Sequence, residues 1–245
     1  MYFFLCIAFA IIVPYLICSI NPAIIAAKIK HNKDIREMGS GNPGLTNALR
    51  TLGKRAAGIV LLLDVLKSVI SLLAVWGVWW SLYKPLCWEG CINAGGYICN
   101  LIPHIPEYPK ELFLWVAALA AVLGHCYPLY YKFKGGKAVL VSVATLLVID
   151  WVSALILLSL FIIIAAITKY VSLGSIIAAL LFPVCVFIVG SYVGYGHFVW
   201  SVVPPYIMLF PTAMATLLIF KHRGNIHRLI NGTEKKLGKK EEIPQ

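Results

Sequence analysis

The segment SGNPGLTNALR, residues 40–50, is rich in groups that donate hydrogen bonds to an anion. Its glycines let successive backbone N–H groups turn toward one ligand, and the planar guanidinium of Arg50 suits a phosphate. Thr46 can also cap a short helix. A tight loop whose asparagines cap helices would have the same composition, so both interpretations stay open. The candidate ligand-binding residues here are Ser40, Gly41, Asn42, Thr46, Asn47 and Arg50.

A second candidate anion site is KFKGGKA, residues 132–138, which leads into an apolar helix. Phosphate at a helix N-terminus gains from free N–H groups and from the helix dipole, and Lys137 would add a point charge beside Gly135 and Gly136. The spacing does not match the Walker A pattern, because Ala138 follows the lysine. Anchoring at a membrane surface explains the other two lysines but not the paired glycines.

Two later segments carry weaker signals. In KYVSLGSI, Ser172 can either cap the next helix or bind a ligand. In KHRGNIHRLINGTEKK, helical spacing of apolar residues predicts an amphipathic interfacial helix, which Asn225 can begin and Asn231-Gly232 can end. His222 is a candidate base or phosphate donor, although a lone interfacial histidine is more often neither. We expect Glu234 to pair with a nearby cation.

Asp64 and Lys67 lie inside a long apolar segment, in LLLDVLKS, and their i, i+3 spacing puts them on one face of a helix. Charges in a bilayer are costly unless they are paired or face a polar cavity. The sequence therefore predicts a pair, and a structural pair is at least as well supported as a catalytic one.

The composition places these segments in an integral membrane protein. Of 245 residues, 60% are hydrophobic and only 13% are charged, and the mean hydropathy is +0.86. Several apolar runs approach the roughly 20 residues that a helix needs to cross the hydrocarbon core. The net charge of +11 agrees with cationic cytoplasmic loops. Because the basic residues are dispersed between the apolar runs, nucleic-acid binding is not expected.

The positive-inside rule orients the chain. Apolar segments predict spanning helices at 2–27, 56–82, 111–129, 171–190 and 200–220, with 138–167 as an ambiguous block. Lysine and arginine number seven in 28–55 and seven in the tail from 221, but only two in 83–110. The loop 28–55 and the tail, about 221–245, are therefore predicted to be cytoplasmic. The N-terminus and the loop at about 83–110 are predicted to lie outside.

The block 138–167 decides the number of spans. One span here would leave the basic tail outside, whereas two short helices that turn near Asp150 and Trp151 return it to the cytoplasm. Each would cover about 22 Å at about 1.5 Å per residue, so they must be tilted, shielded or set in a thinned bilayer. We predict an all-α integral membrane protein, a single polytopic domain over 1–245. It has seven transmembrane helices, the N-terminus out and the C-terminus in, and short interfacial helices that carry the site. All four polar segments then converge on the cytoplasmic face.

The seven cysteines do not indicate a metal site. Those in or beside apolar segments are expected to fill the core: Cys6, Cys18, Cys126 and Cys185. Three share the loop at about 83–110: Cys87, Cys91 and Cys99. They lack the paired spacing that zinc requires, and an extracytoplasmic location would permit a disulfide between two of them. Neither a metal nor a cofactor is expected.

The combination SGNPGLTNALR, GHCYPLYYKFKGGKA, YVSLGSI and HRGNIHRLINGTE, in this order, resembles the PlsY family, the bacterial acyl-phosphate:glycerol-3-phosphate acyltransferases. The match extends from about residue 39 to 236 and includes LLLDVLKS. The resemblance implies a seven-span fold in the bacterial cell (inner or plasma) membrane, with the active site on the cytoplasmic face. It implies transfer of an acyl group from acyl phosphate to glycerol 3-phosphate, which yields lysophosphatidic acid and phosphate in the first acylation of phospholipid synthesis.

The motifs of that family imply roles for residues of this chain. Its first-motif serine and arginine correspond to Ser40 and Arg50, its phosphate loop to Gly135, Gly136 and Lys137, and its third-motif residues to His222, Asn225 and Glu234. The catalytic candidates are Ser40, Arg50, His222 and Asn225, and the structural candidates are Asp64, Lys67 and Glu234. The family commonly has Gly-Val-Ala-Thr after the loop lysine, where this chain has AVLV. The loop at about 83–110 resembles an insertion.

An acyl phosphate is already activated, so no covalent enzyme intermediate is required. Arg50 and Lys137 would neutralise charge, while Ser40 and backbone N–H groups would stabilise the oxyanion. No histidine has an aspartate five residues later, so the HxxxxD motif is absent. Two groups therefore remain candidates for the proton acceptor: His222 and the phosphate of glycerol 3-phosphate.

Two other functions compete with acyl transfer. A transporter of a phosphorylated or other anionic solute would also have a basic cavity and interrupted helices, but its site would lie near the midplane rather than at one face. A CDP-alcohol phosphotransferase would need clustered aspartates, and only Asp34, Asp64 and Asp150 occur. The expected partners are the two phosphate substrates and the lipid bilayer, and the sequence indicates no protein partner.

Overall fold

The computed structural model describes residues 2–83, 109–192 and 205–237, and its regular structure there is helical. The α-helices are α1 (Tyr2–Ser19), α2 (Pro22–His31), α3 (Leu45–Thr51), α4 (Lys54–Val78), α5 (Pro109–Cys126), α6 (Val139–Ile149), α7 (Trp151–Thr168), α8 (Val171–Tyr192), α9 (Pro205–Lys221) and α10 (Arg223–Ile230). A π-helical turn (Trp79–Tyr83) follows α4, and short 3-10 turns cover Ile35–Glu37 and Leu129–Tyr131. Cys87, Cys91, Cys99 and the end of the basic tail lie outside the described residues.

Five helical segments are long and apolar enough to cross a membrane. They are Phe3–His31, Lys54–Leu82, Lys110–Tyr131, Trp151–Thr168 and Val171–Ser191. Two further apolar helices, α6 and α9, are shorter. The predicted all-α, multi-pass membrane architecture is therefore confirmed at this level.

The first predicted span, 2–27, consists of two helices rather than one. Pro14 lies inside α1 without ending it, and the break falls after Ser19. Asn21 caps α2, because its Oδ1 accepts from the N–H of Ile24 at 3.1 Å, and its Nδ2 donates to the carbonyl of Pro43 at 3.1 Å. The side chain of Asn21 therefore ties this break to the first polar segment.

The block 138–167 is divided at Asp150 as predicted. The helix α6 ends at Ile149, and α7 begins at Trp151. The buried carboxylate of Asp150 accepts from the N–H of Ser153 at 3.1 Å, which satisfies one free donor at the start of α7.

The helix α5 forms the centre of the bundle. Of the 18 residues in its most apolar stretch, 67% are buried, whereas the corresponding fraction in α7 is 22%. Its small residues allow close packing, and a Cβ on Gly124 would lie only 2.3 Å from the carbonyl oxygen of Tyr15 in α1. As expected, Cys6, Cys18 and Cys126 are buried, and Cys185 is half-buried.

Candidate active site

Segments far apart in sequence meet at the helix ends and line one cavity of about 780 Å³. The predicted site residues on its wall are Ser40, Gly41, Asn42, Thr46, Asn47, Arg50, Asp64, Gly135, Lys137, Ser172, His222, Asn225 and Glu234. Behind the wall, Gly136 and Lys67 lie against His125. The predicted convergence of the four polar segments is confirmed. The short helices α3 and α10 carry two of them, again as predicted.

The side-chain amide of Asn47 holds the first segment in shape. Its Oδ1 accepts from the backbone N–H of Ser40 at 2.9 Å, and its Nδ2 donates to the carbonyls of Ile35 at 3.2 Å and Met38 at 2.9 Å. Gly39 has a φ of +58°, and a Cβ there would lie 2.4 Å from Asn47 Oδ1. Asn47 was predicted to bind substrate, but here both its oxygen and its NH₂ group stabilise the loop.

Ser40, Thr46 and Arg50 keep polar atoms available for a ligand. Within the part of the chain that the structure describes, the hydroxyl groups of Ser40 and Thr46 have no hydrogen-bond partner. The guanidinium of Arg50 makes one long contact, 3.5 Å from Nη2 to the carbonyl oxygen of Lys235. Thr46 is not the helix cap that the sequence suggested, because Gly44 occupies that position without a side-chain hydrogen bond.

Gly135 and Gly136 pack against the end of α5. Their N–H groups donate to the carbonyls of Cys126 at 3.2 Å and His125 at 3.1 Å. A Cβ on Gly135 would lie 2.1 Å from the His125 carbonyl oxygen, and one on Gly136 would lie 2.4 Å from His125 Nε2. These glycines therefore permit a close approach of two backbones, and because their N–H groups are occupied, the donor that this loop presents to the cavity is the side chain of Lys137.

A chain of hydrogen bonds starts at Lys137 and crosses the polar end of the cavity, which we call its mouth. The Lys137 ammonium donates to Oδ1 of Asn225, whose Nδ2 donates to Oε1 of Glu234 at 2.7 Å. The hydroxyl of Ser172 donates to the same oxygen at 2.7 Å, and Arg228 Nε donates to Oε2 at 2.8 Å. The predicted pairing of Glu234 with a cation is confirmed, and it joins three of the four segments.

His222 lies between α9 and α10 and is only 2% exposed. Its Nδ1 donates to the carbonyl of Leu218 at 2.7 Å, which leaves Nε2 as the acceptor of the neutral ring. Burial, reinforced by the Lys137 ammonium, lowers the pKa of His222 to about 4. Asn225 does not cap α10 as predicted, because its side chain joins the network above. The predicted end at Asn231-Gly232 is confirmed.

The cavity mouth is electropositive. Burial lowers the pKa of Lys137 to about 8; the Glu234 carboxylate opposes this shift and neighbouring cations add to it. Burial alone would raise the pKa of Glu234, but its three hydrogen bonds outweigh burial and the pKa is lowered. The cations on the wall are Arg50, Lys137, Lys221, Arg223, Arg228 and Lys235. The wall's carboxylates, Asp64 and Glu234, are both ion-paired, so the surplus of positive charge favours an anionic ligand.

The predicted pair of Asp64 and Lys67 forms at the cavity wall, which Asp64 lines, with Lys67 Nζ 2.7 Å from Asp64 Oδ1. The contact is an ion pair rather than an aligned hydrogen bond. Lys67 Nζ also donates to the carbonyl of Ile20 at 2.7 Å and lies 3.2 Å from His125 Nδ1. The pair therefore links α4 to the break between α1 and α2 and to α5.

The wall also contains ionisable residues that were not predicted from the sequence: His125, Lys221, Arg223, Arg228 and Lys235. Lys221 Nζ donates to the carbonyl of Cys126 at 3.3 Å and lies 4.7 Å from the ring centre of Tyr127. A signal existed for Arg228, which lies six residues before Glu234 on a predicted amphipathic helix. No comparable signal exists for His125, because its contacts come from α4 and from the loop after α5.

The inner half of the cavity is apolar. It is lined by α6, α7 and α8 through Leu140, Val143, Leu146, Ala154, Leu157, Leu158, Phe161, Ala178, Ala179 and Phe182. At its deep end Leu146 and Phe182 are 3% exposed and Ala154 is 0% exposed. The Phe182 ring lies 6.4 Å from that of buried Trp115. A cationic mouth and an apolar inner half thus belong to the same cavity.

The fold is that of an integral membrane protein, and its cavity has cationic and apolar halves that suit an amphipathic anion. The glycerol-3-phosphate acyltransferase family matches residues 8–232. The glycerol-3-phosphate acyltransferase of Chlorobaculum tepidum is 37% identical over 237 residues, covering 93% of this chain and 94% of that one. That of Clostridioides difficile is 36% identical over 231 residues, covering 94% and 95%.

Two solved structures are similar throughout. One is PlsY (YgiH), an integral membrane glycerol 3-phosphate acyltransferase, in its glycerol 3-phosphate form, with a TM-score of 0.69, 31% identity and coverage of 95% of this chain and 96% of that one. The lysophosphatidic acid form gives a TM-score of 0.67 at 29% identity, with 95% of each chain covered. The chain belongs to the glycerol-3-phosphate acyltransferase family. It is therefore an acyltransferase rather than a transporter of an anionic solute.

Proposed function

We propose that this chain transfers an acyl group from acyl phosphate to glycerol 3-phosphate and releases lysophosphatidic acid and phosphate. The observation that carries this proposal is the two-part cavity, in which a cationic mouth adjoins an apolar inner half. An acyl phosphate has the same two parts, a phosphate and a hydrocarbon chain. The similar structures in glycerol 3-phosphate and lysophosphatidic acid forms support the acceptor and the product.

The reaction needs positioning more than covalent help. The glycerol hydroxyl oxygen attacks the carbonyl carbon, the ester C–O bond forms, and the bond from that carbon to the phosphate oxygen breaks. Arg50 and Lys137 bind the two phosphates, and the Ser40 hydroxyl donates to the developing oxyanion. Alignment of two reactants in this way is worth about 7–11 kcal/mol of the barrier.

The hydroxyl proton passes to a base, and two groups compete for this role. His222 presents a free Nε2 lone pair, but its pKa of about 4 makes it a weak base at neutral pH. The phosphate of glycerol 3-phosphate has a second pKa nearer the physiological range and is carried by the substrate itself. The lowered pKa of His222 therefore favours the substrate phosphate, with His222 as a hydrogen-bonding group that helps to orient it.

The His222→Ala variant tests the choice of base. If the substrate phosphate takes the proton, the variant keeps a turnover number within about tenfold of the wild type, because an enzymic general base contributes 10²–10⁴-fold. The measurement is kcat with saturating substrates in lipid nanodiscs. A loss of three orders of magnitude in a folded variant would instead assign the base to His222.

The proposal includes a membrane topology. Seven crossings, counting the shorter α6 and α9, would place the N-terminus outside and the basic tail in the cytoplasm of a bacterial cell. The cavity mouth would then open to the cytoplasm, where the interfacial helices α3 and α10 carry its walls. The supporting observation is the concentration of lysine and arginine in 28–55 and after residue 220.

The direct test uses purified protein in nanodiscs with palmitoyl phosphate and labelled glycerol 3-phosphate. Labelled lysophosphatidic acid and one equivalent of phosphate should appear. Palmitoyl-CoA in place of palmitoyl phosphate is the control for the donor, and it should give no product. Equal activity with the thioester would overturn the proposed donor while leaving the acyltransferase class intact.

A further inference from the structure

Three ionisable side chains are buried together at the inner side of the cavity, away from the hydrogen bonds at its mouth, and two of them, Asp64 and His125, line its wall. Asp64 is 2%, Lys67 is 8% and His125 is 4% exposed. Breaking a buried ion pair is strongly destabilising, yet an apolar replacement of the whole pair is often neutral or stabilising. Stability alone is therefore a weak reason for these charges, and their contacts suggest a second role.

The ammonium of Lys67 fixes the histidine ring. Lys67 Nζ lies 3.2 Å from His125 Nδ1, while Asp64 Oδ1 lies 3.7 Å from Nδ1, too far for a hydrogen bond. An ammonium only donates, so Nδ1 accepts and the neutral ring carries its proton on Nε2. Asp64 balances the charge of Lys67, and the carbonyl of Ile20 receives another of its protons at 2.7 Å.

The ring of His125 supports the glycine loop. A Cβ on Gly136 would lie 2.4 Å from Nε2 of this ring. The carbonyl of the same histidine accepts from the N–H of Gly136 at 3.1 Å. The loop therefore rests on both the side chain and the main chain of one residue. The next residue along the chain is Lys137, the cation of the mouth.

The same anchor reaches the opposite wall. Asn21 follows Ile20 and donates to the carbonyl of Pro43 in the first polar segment at 3.1 Å. That carbonyl oxygen lies 3.2 Å from the position of a Gly136 Cβ. The buried ammonium of Lys67 is thus linked to the Gly136 loop through His125 and to the first polar segment through Ile20 and Asn21.

We propose that Asp64, Lys67 and His125 form a positioning network that sets the Gly136 loop against the first segment, and hence the place where Lys137 meets a substrate phosphate. This inference rests on the proposed function for the identity of the substrate. The three are positioning residues, because they act through Gly136 and Pro43 rather than on the reacting atoms.

The first experiment removes both charges together, in Asp64→Asn/Lys67→Met, so that no unpaired charge stays buried. Loss of one charge-assisted hydrogen bond should raise the KM for one of the two phosphate substrates about tenfold, with kcat within about threefold. Amide hydrogen exchange in 132–138 should speed up, while thermal stability stays near that of the wild type. Ser71→Ala, another buried polar change on α4, should alter none of these.

Unchanged exchange in 132–138 would overturn the network, whatever the activity. Parallel losses of stability and kcat with an unchanged KM would assign the three residues a structural role only. If the wild type made no lysophosphatidic acid from acyl phosphate, the proposed function would fail. The exchange result would still decide the network.

A second experiment uses suppression. In Gly136→Ala the new methyl group meets the His125 ring, so His125→Ala in the same chain should restore part of the lost activity. In Gly135→Ala the methyl group meets the His125 carbonyl oxygen at 2.1 Å, which no side-chain change removes, so His125→Ala should not rescue it. Equal rescue of both, or of neither, would contradict contact of the loop with the ring.

Discussion

Residues of the site divide into those whose polar atoms are engaged and those whose polar atoms are free. Asn47 and Glu234 are saturated by internal hydrogen bonds, and so hold the walls. Ser40 and Arg50 keep donors facing the cavity, because Asn47 bonds only the backbone N–H of Ser40 and Arg50 has one long contact. The free donors are the ones expected to reach substrate.

Arg50→Ala should lower lysophosphatidate formation by roughly 10- to 150-fold while the protein stays in the membrane. The guanidinium has little structural work, so its loss removes a phosphate contact worth roughly 1.5–3 kcal/mol without unfolding the chain. Activity and membrane content are measured together. Arg55→Ala, an exposed arginine away from the cavity, is the matched control. Comparable loss in both variants would point to bulk charge rather than a specific contact.

The pKa of Lys137 predicts a pH dependence. Below its pKa of about 8 the ammonium is charged and binds phosphate, and above it the amine is neutral. The KM for the phosphate that it binds should therefore rise as pH increases through about 8. In Lys137→Arg the cation does not deprotonate, so this rise should disappear, whatever the absolute activity. The same KM profile in both proteins would show that another group titrates.

At the level of elements, the break at Asp150 shapes the apolar inner half of the cavity. Because α6 and α7 are separate helices, both present side chains to α8 around one narrow space. Ser172 at the mouth and Phe182 at the deep end are ten residues apart on α8, about 15 Å along its axis. Leu146, Ala154 and Phe182 close that end and should limit the length of the acyl chain.

Ala154→Leu should shift the preference toward shorter acyl chains. The larger side chain fills the closed end, where overpacking typically costs about 1–3 kcal/mol, so octadecanoyl phosphate should lose more activity than dodecanoyl phosphate. The measurement is kcat/KM across an acyl phosphate series. Ala166→Leu, on the exposed face of the same helix, should leave the series unchanged. A uniform loss across all lengths would show that Ala154 does not set chain length.

At the level of the whole molecule, the proposed topology is open to chemical labelling. With Cys87, Cys91 and Cys99 replaced by serine, Lys33→Cys and Thr233→Cys should react with a membrane-impermeant maleimide only after the cytoplasmic side is exposed. Trp151→Cys, at the turn between α6 and α7, should react from outside. Labelling of all three from one side would rule out the turn at Asp150 as the end of two crossings.

The sequence predicts the helical membrane architecture, the break at Asp150 and the four segments that form the site. These features are predictable because the hydropathy and charge of a short segment indicate whether it lies inside the membrane or at its surface. The sequence does not predict which polar atoms stay free. The N–H groups of Gly135 and Gly136 are taken by α5, and the amide of Asn47 by its own loop, through tertiary contacts with no periodic signal. Asn21 and His125 were missed for the same reason.

The segment that follows α9 closes the cavity, since Glu234 receives bonds from Ser172 and Arg228 and the N–H of Leu237 donates to the carbonyl of Lys169 at 2.8 Å. This order along the chain has a consequence for biosynthesis. During translation, the helices α1 to α9 are made before this wall. A nascent chain that has reached only α9 therefore lacks Asn225, Arg228 and Glu234, and with them the hydrogen bonds of the cavity mouth.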